Sequence, residues 1–314
     1  MTGLELSRGY YETFGKPMLE EQFASVLPYL AVGFVGSGSE HFGFDDEISR
    51  DHDFEPGFCI FLPGEDIVDR KTAFALERAY AKLPKEYEGV RRGFLSPVGG
   101  NRSGVIRTAE FYEKAVGAPD GNLSPEAWLR IPLYALAEAT DGEVYLDNYG
   151  EFSAIREQLF LMPEDIRRKR LAGNLLLMAQ SGQYNFTRCL SHGEPEAAQL
   201  AAQNYVTAAL QAIFLLRRQY LPYYKWSFRA LRQLIGGTEY AEKLGVLLRG
   251  DNILDSVAEE KSDAIETTAS MVISELREQN LTEAICGDLE KHAYSVNDRV
   301  SDANIRNMHI LAAV

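Results

Sequence analysis

Apolar and polar positions follow two different patterns along this chain. In the first half, short apolar runs of strand length alternate with segments of helical periodicity. The run 58–62 is apolar at every position, which is typical of a strand buried on both faces. The predicted strands are residues 30–35, 58–62, 105–106 and 142–147.

Segments in which apolar residues recur every three to four positions separate these strands. Pro28 is expected to end the second of the resulting helices. Ser124 and Pro125 are expected to begin the last one, as N-cap and first helical residue. The Gly/Pro-rich segment 94–102 is predicted to be a loop. The predicted helices of this half are 4–14, 18–27, 69–83, 109–116 and 125–140.

From about residue 151 the strand pattern ends and helical patterns follow one another. We therefore expect two domains: an α/β (α+β) domain with a small mixed sheet over residues 1–150, and an all-α helical bundle over residues 151–314. The predicted helices of the second domain are 164–180, 196–219, 225–235, 239–248, 252–279 and 282–300.

Composition and charge narrow the class of protein. With 314 residues and 46% apolar residues, the chain is long enough and apolar enough to bury two cores. Its 46 acidic and 32 basic residues give a formal net charge of −14, so its average field repels phosphate backbones and anionic membranes. We therefore expect neither broad nucleic-acid binding nor a membrane partner. An anionic substrate requires basic residues gathered locally, or metal ions.

Targeting and redox signals point to the cytoplasm. The first residues lack the pattern of an export signal, and no apolar run reaches the length of a membrane span. Cys59, Cys189 and Cys286 are odd in number and far apart, so neither a zinc ribbon nor a disulfide framework is predicted. A reducing cytoplasm is the simplest compartment for such a chain.

Three common phosphate or metal motifs do not fit the segment 36–62. The dinucleotide fingerprint fails because Gly43 follows Gly38 too late, and a P-loop fails because the segment has no lysine. An EF-hand beginning at Asp51 fails because Leu62 stands where the bidentate glutamate belongs.

Two carboxylates remain, just before the apolar run 58–62. In an extended segment, Asp51 and Asp53 point to the same side while His52 points away. Carboxylates about 7 Å apart along a strand repel each other unless a cation lies between them, and Mg²⁺ suits such oxygen ligands. Gly38 and Ser39 offer backbone N–H groups and a hydroxyl to a phosphate. Together these residues would hold a nucleoside triphosphate by its phosphates and metal.

The Gly-Ser turn followed by Asp-x-Asp resembles the signature of the DNA polymerase β-like nucleotidyltransferase superfamily, which includes antibiotic nucleotidyltransferases. Within that superfamily the chain is most similar to a bacterial family of unknown function, the DUF4037 proteins, and the similarity extends over most of its length. The segments that carry this resemblance are Gly38–Glu40, Phe42–Asp46, Ser49–Asp53 and Pro222–Trp226.

The resemblance implies a metal-dependent enzyme. Asp51 and Asp53 match the positions that hold Mg²⁺ or Mn²⁺, and Gly38 and Ser39 match the turn that contacts phosphate. Lys225 is expected to face the triphosphate. A hydroxyl of the acceptor would attack the α-phosphorus of ATP or another nucleoside triphosphate and release pyrophosphate. The acceptor is left open: a small molecule, a protein side chain or an RNA end.

The expected third carboxylate is not where the superfamily usually has it. The strand around residues 104–107 contains no acid, so Glu110 and Asp147 are the candidates for that position. This departure keeps a second hypothesis open, a catalytically silent module that binds or senses a nucleotide. A third hypothesis, a metal-dependent phosphohydrolase built on the pair His52-Asp53, requires a helical site with further histidine ligands.

Overall fold

The computed structural model of this chain describes residues 1–48, 54–92 and 103–314. Asp51, Asp53 and the loop predicted over residues 94–102 lie outside the described residues.

The described chain forms two compact units. The first contains residues 1–122 and 135–161, and the second contains residues 123–134 and 162–314. Residues 125–130 pack against the long helix 164–178, while residues 151–160 pack against the strand 143–147. The domain limit predicted at residue 150 stays a prediction.

The first unit contains a mixed four-stranded sheet with helices, and the second is largely helical, which confirms the predicted fold class. The four strands of the sheet are β1 (Ala31–Phe34), β2 (Cys59–Leu62), β5 (Gly104–Arg107) and β6 (Glu143–Asp147), and a separate hairpin contains β3 (Glu86–Tyr87) and β4 (Val90–Arg91). The strand order in the sheet is β5-β2-β1-β6. β1 pairs antiparallel with both β2 and β6, whereas β2 and β5 are parallel.

Strand β2 is buried on both faces, as its continuous apolar run predicts. Ile60 and Leu62 belong to a core cluster that also contains residues of the N-terminal helices and of helix 70–81. On the opposite face, the ring of Phe61 stacks on that of Phe152, with centroids 4.1 Å apart. Alternate side chains of this strand therefore enter two different apolar layers.

The helices agree with the predicted ones at most places. No helix within the described residues has both the length and the apolar character needed to cross a bilayer. In the first unit the helices are α1 (Gly3–Tyr10), α2 (Lys16–Gln22), α3 (Arg70–Ala81), α4 (Thr108–Val116) and α7 (Glu151–Phe160). Those at the boundary and in the second unit are α5 (Pro125–Arg130), α6 (Leu133–Thr140), α8 (Glu164–Met178), α9 (Thr187–Ser191), α10 (Pro195–Leu216), α11 (Tyr224–Gln233), α12 (Gly237–Leu247), α13 (Asp255–Glu278), α14 (Leu289–Asp298) and α15 (Ala303–Asn307).

The N-terminal prediction of two separate helices is wrong in two respects. A π-helical turn at Tyr11–Gly15 joins α1 to α2, and the Lys16 N–H donates to the Tyr11 carbonyl across this wider turn. The second helix ends at Gln22, before Pro28, which lies in a 3₁₀ turn. The apolar residues between Gln22 and Pro28 lie in a turn but still pack on the core. Their spacing therefore resembles that of a helix.

Two other predicted helices have different limits. The helix predicted over 125–140 is divided at Ile131, whose ψ of 131° is extended because the following Pro132 disfavours the helical conformation there. The segment 282–288 was expected to be helical but is not. The α14 helix begins at Leu289. The Asp288 carboxylate caps it by accepting a hydrogen bond from the Glu290 N–H.

Candidate functional site

The register of the sheet shows which loops meet at each of its ends. Phe34, at the end of β1, pairs with Glu143 at the start of β6. Because β1 and β2 are antiparallel, the start of β2 lies at the same end of the sheet as the end of β1. The Gly38-Ser39 turn follows β1 here, and residues 54–58 lead into β2 here. We call this the Gly38 end of the sheet, and the opposite one the Ala31 end.

The turn after β1 depends on glycine conformations. Gly36 has a φ of 121° and Gly38 a φ of 142°, values that residues with a Cβ rarely adopt. A Cβ at position 38 would also collide with the Glu40 carboxylate, which lies over this residue. The turn is held by a hydrogen bond of 2.8 Å from the Phe44 N–H to the Ser39 carbonyl.

Three polar side chains of this turn are buried: Ser39, Glu40 and His41. The Ser39 hydroxyl lies 3.4 Å from a Glu40 carboxylate oxygen. His41 Nδ1 lies 3.7 Å from the other carboxylate oxygen of Glu40, and its ring packs on Phe34 with centroids 4.1 Å apart. Burying a carboxylate and an imidazole costs free energy, so we include this grouping in the candidate site.

Asp141 is the site residue that the sequence analysis missed. Its Oδ1 accepts a hydrogen bond of 3.4 Å from the Gly36 N–H, which fixes it at the Gly38 end of the sheet. Its Oδ2 is buried and has no hydrogen-bond partner among the described residues. Burial raises the pKa of this carboxyl well above its usual value, against the opposing effects of the Gly36 hydrogen bond and the Arg156 charge. An acid just before a predicted strand was the available signal.

Arg156, on α7, is the cation next to this carboxyl. Its Nη2 donates to the Gly142 carbonyl at 3.0 Å, while its Nη1 is buried without a hydrogen-bond partner among the described residues. Burial lowers the pKa of this guanidinium, although the Tyr112 and Asp141 groups raise it. Thr140, Ser153 and Arg156 border a cavity of about 490 Å³.

The structure does not bring the two proposed third carboxylates to the Gly38 end. Asp147 pairs with Ala31 at the other end of the sheet. Its carboxylate accepts hydrogen bonds from the Gly150 N–H at 2.7 Å and the Ser153 N–H at 2.8 Å, so it caps the start of α7. Glu110 is exposed in the first turn of α4, which follows β5 at the Ala31 end, and it borders a cavity of about 370 Å³.

Lys225 belongs to the second unit. It is exposed in the first turn of α11, and its Nζ lies 5.8 Å from the centroid of the Trp226 ring.

The chemistry of the Gly38 end fits a hard divalent cation. Carboxylate and hydroxyl oxygens are the ligands that Mg²⁺ and Mn²⁺ prefer, and Asp141 Oδ2 is a buried oxygen of this type. The residues that the structure describes contain no group of three His, Cys, Asp or Glu side chains that would hold a metal alone.

The three cysteines are all free, as their spacing predicts. Cys59 is buried in β2, and burial raises the pKa of its thiol to about 12, so it is an unreactive core residue.

A search among curated proteins finds no match to this chain. A known family matches residues 128–227, about a third of the length. The Pro222–Trp226 segment lies inside the matching residues, whereas the Gly38-Ser39 turn and the Asp51-x-Asp53 pair lie outside them. Membership of the nucleotidyltransferase superfamily therefore stays a prediction. The family that matches residues 128–227 is described as "Domain of unknown function (DUF4037)", the same family that the sequence motifs resemble.

Proposed function

We propose that this protein is a metal-dependent nucleotidyltransferase that transfers a nucleoside monophosphate, with ATP as the first candidate donor, to a hydroxyl group. The main support is the convergence at the Gly38 end. The glycine turn, the buried Asp141 carboxyl and the entry into β2 all meet there. A glycine turn beside a buried carboxyl is consistent with such a transfer.

Each residue has a distinct role in this proposal. The turn at Gly38 and Ser39 would bind phosphate through its backbone N–H groups. Asp51 and Asp53 would hold Mg²⁺ or Mn²⁺, which neutralises charge on the phosphate oxygens when bound. Lys225 is the proposed cation for the triphosphate.

The reaction forms one bond and breaks one bond. The acceptor oxygen bonds to the α-phosphorus, and the bond from that phosphorus to the pyrophosphate oxygen breaks. The hydroxyl proton goes to a carboxylate. Asp141 is our candidate for this base, because burial raises the pKa of its carboxyl and so its proton affinity.

One observation favours a second candidate function, a silent module that binds a nucleotide without catalysis. Strand β5 contains no acid. Its last residue, Arg107, donates to the Pro63 carbonyl at 2.6 Å and to the Val68 carbonyl at 2.8 Å, a structural role.

We also propose a reducing cytoplasm as the compartment of the protein, which the three free cysteines support.

Isothermal titration tests the proposal. The purified protein is titrated with ATP, GTP, CTP and UTP, each with and without Mg²⁺. We expect at least one nucleotide to bind only with the metal, and the Asp51→Ala/Asp53→Ala double variant to lose that binding. Pyrophosphate release with candidate acceptors then separates an enzyme from a silent module. Absence of binding for all four nucleotides would contradict both functions.

A further inference from the structure

The second unit contains a basic region that is unusual for this acidic protein. Residues 197–238 contain no aspartate or glutamate, although the whole chain has 46 of them. The same stretch contains five basic residues: Arg217, Arg218, Lys225, Arg229 and Arg232. Local charge here therefore has the opposite sign to the net charge of −14.

Two of these five cations form ion pairs with carboxylates. Arg217 Nη2 lies 2.7 Å from a carboxylate oxygen of Glu275. Arg218 Nη2 lies 3.0 Å from a carboxylate oxygen of Glu164. The other three lie on α11, where Arg229 lies 5.1 Å from the centroid of the Trp226 ring and Arg232 Nη1 donates to the Phe228 carbonyl at 3.1 Å.

Helix α11 separates its two faces sharply. Ser227, Ala230 and Leu231 face the interior. Lys225, Arg229 and Arg232 are exposed, and their spacing of four and three residues places them in one row. At a rise of 1.5 Å per residue, this row is about 10 Å long. An extended polyanion can contact such a row with successive phosphates.

Exposed aromatic rings lie near the N-terminal end of α11. Tyr134, Tyr223 and Tyr224 are 41%, 42% and 73% exposed. The Tyr223 and Tyr224 ring centroids are 4.5 Å apart, and those of Tyr134 and Tyr223 are 5.7 Å apart. Three neighbouring tyrosines with exposed rings are costly for a surface that meets only water.

We propose that this surface, formed by the exposed side of α11 and the three tyrosines, binds single-stranded RNA. Phosphates would contact Arg229 and Arg232, and unpaired bases would stack on the tyrosine rings. The combination favours RNA over a simple anion, because a simple anion has no base that could stack on the ring faces. If the proposed nucleotidyltransferase function is correct, the inference names its acceptor class, an RNA end. RNA binding itself does not depend on that function.

Fluorescence anisotropy with 5′-labelled twelve-nucleotide oligo(U) and oligo(A), without ATP or Mg²⁺, tests the inference. Stacking predicts that Tyr223→Ala/Tyr224→Ala weakens binding about tenfold or more. Arg229→Ala/Arg232→Ala should also reduce the slope of log K against log salt by about 1.4, or 0.7 for each lost phosphate contact. The matched control is Arg249→Ala/Tyr294→Ala, which removes an exposed arginine and an exposed tyrosine outside residues 197–238 and should change binding less than twofold.

Three results would overturn the inference. The first is that the wild-type protein binds neither RNA. The second is that the control variant weakens binding as much as the α11 variants do. The third is that inorganic polyphosphate competes as well as RNA does. Nucleotide titration separates this failure from failure of the proposed function. RNA binding without nucleotide binding rejects the proposed function alone, and metal-dependent ATP binding without RNA binding rejects the inference alone.

Discussion

Lys169 of the second unit and Asp141 of the first unit differ in how their buried polar atoms are bonded. In the second unit, the fully buried Lys169 donates at 2.7–3.0 Å to oxygen atoms of three residues, Asn297, Arg306 and Met308. An ammonium group has three hydrogens, so all of them are used. In the first unit, Asp141 keeps a buried oxygen without a hydrogen-bond partner among the described residues. The comparison supports a structural role for Lys169 and is consistent with the proposed role of Asp141 as a base.

The largest effect is expected where a fully bonded charge is removed. Lys169→Met leaves three buried acceptors without their donor, so we expect a loss of about 3 kcal/mol in the free energy of unfolding. Urea unfolding followed by circular dichroism measures this loss. Lys291→Met, at an exposed lysine of α14, is the control and should change stability by less than about 0.5 kcal/mol. Equal effects of the two variants would contradict a structural role for Lys169.

The glycine turn gives the next largest effect. Gly38→Ala adds a Cβ that collides with the Glu40 carboxylate, at a φ that alanine rarely adopts. We expect the free energy of unfolding, measured by thermal denaturation, to fall by about 2 kcal/mol, and ATP binding to be lost. Gly43→Ala is the matched control. Its φ of 66° is also positive but nothing lies near the added Cβ, so about 1 kcal/mol should be lost and ATP binding kept.

Replacing Asp141 should raise the free energy of unfolding, whereas the two preceding changes lower it. Because burial raises the pKa of this carboxyl in the folded state, its favourable contribution is present at low pH and is lost as pH rises through the folded pKa. Asp141→Asn should therefore be about 1 kcal/mol more stable than wild type at pH 8, with a gain that shrinks toward pH 4. Melting temperatures between pH 4 and pH 8 measure this gain. A gain that is the same at every pH would contradict a buried, titrating carboxyl. Pyrophosphate release by the variant should fall.

The smallest effects concern the two carboxylates at the Ala31 end. Asp147→Ala removes the two hydrogen bonds that cap α7, so we expect a loss of about 1 kcal/mol in stability and unchanged nucleotide affinity. Glu110→Gln, at an exposed residue, should change neither quantity by more than about 0.5 kcal/mol. Chemical unfolding and ATP titration check both variants. Loss of nucleotide affinity in either variant would contradict this prediction and indicate that the replaced carboxylate belongs to the nucleotide site.

The sheet could be predicted from the sequence because its strands are short apolar runs between turn residues. All four strands of the mixed sheet fall on predicted runs, and Ser124 caps α5 as its position suggested. Helix limits were less predictable, because apolar residues of a turn can imitate helical spacing, as they do after Gln22.

The site could be predicted only in part. Local sequence identified the Gly38-Ser39 turn, since glycine followed by a polar residue after a strand is a local signal. Asp141 could not be ranked above Asp147 from the sequence, because both flank the same predicted strand. Only the pairing of β6 with β1 decides which of the two lies beside the turn.

Hydrogen–deuterium exchange with ATP and Mg²⁺ tests the central claim, that the nucleotide binds at the Gly38 end of the sheet. Amide exchange is followed in the turn 36–44 and, for comparison, in residues 147–153 at the Ala31 end. We predict slower exchange in the turn when ATP and Mg²⁺ are both present, and no change in residues 147–153. Protection of residues 147–153 with an unchanged turn would contradict the claim.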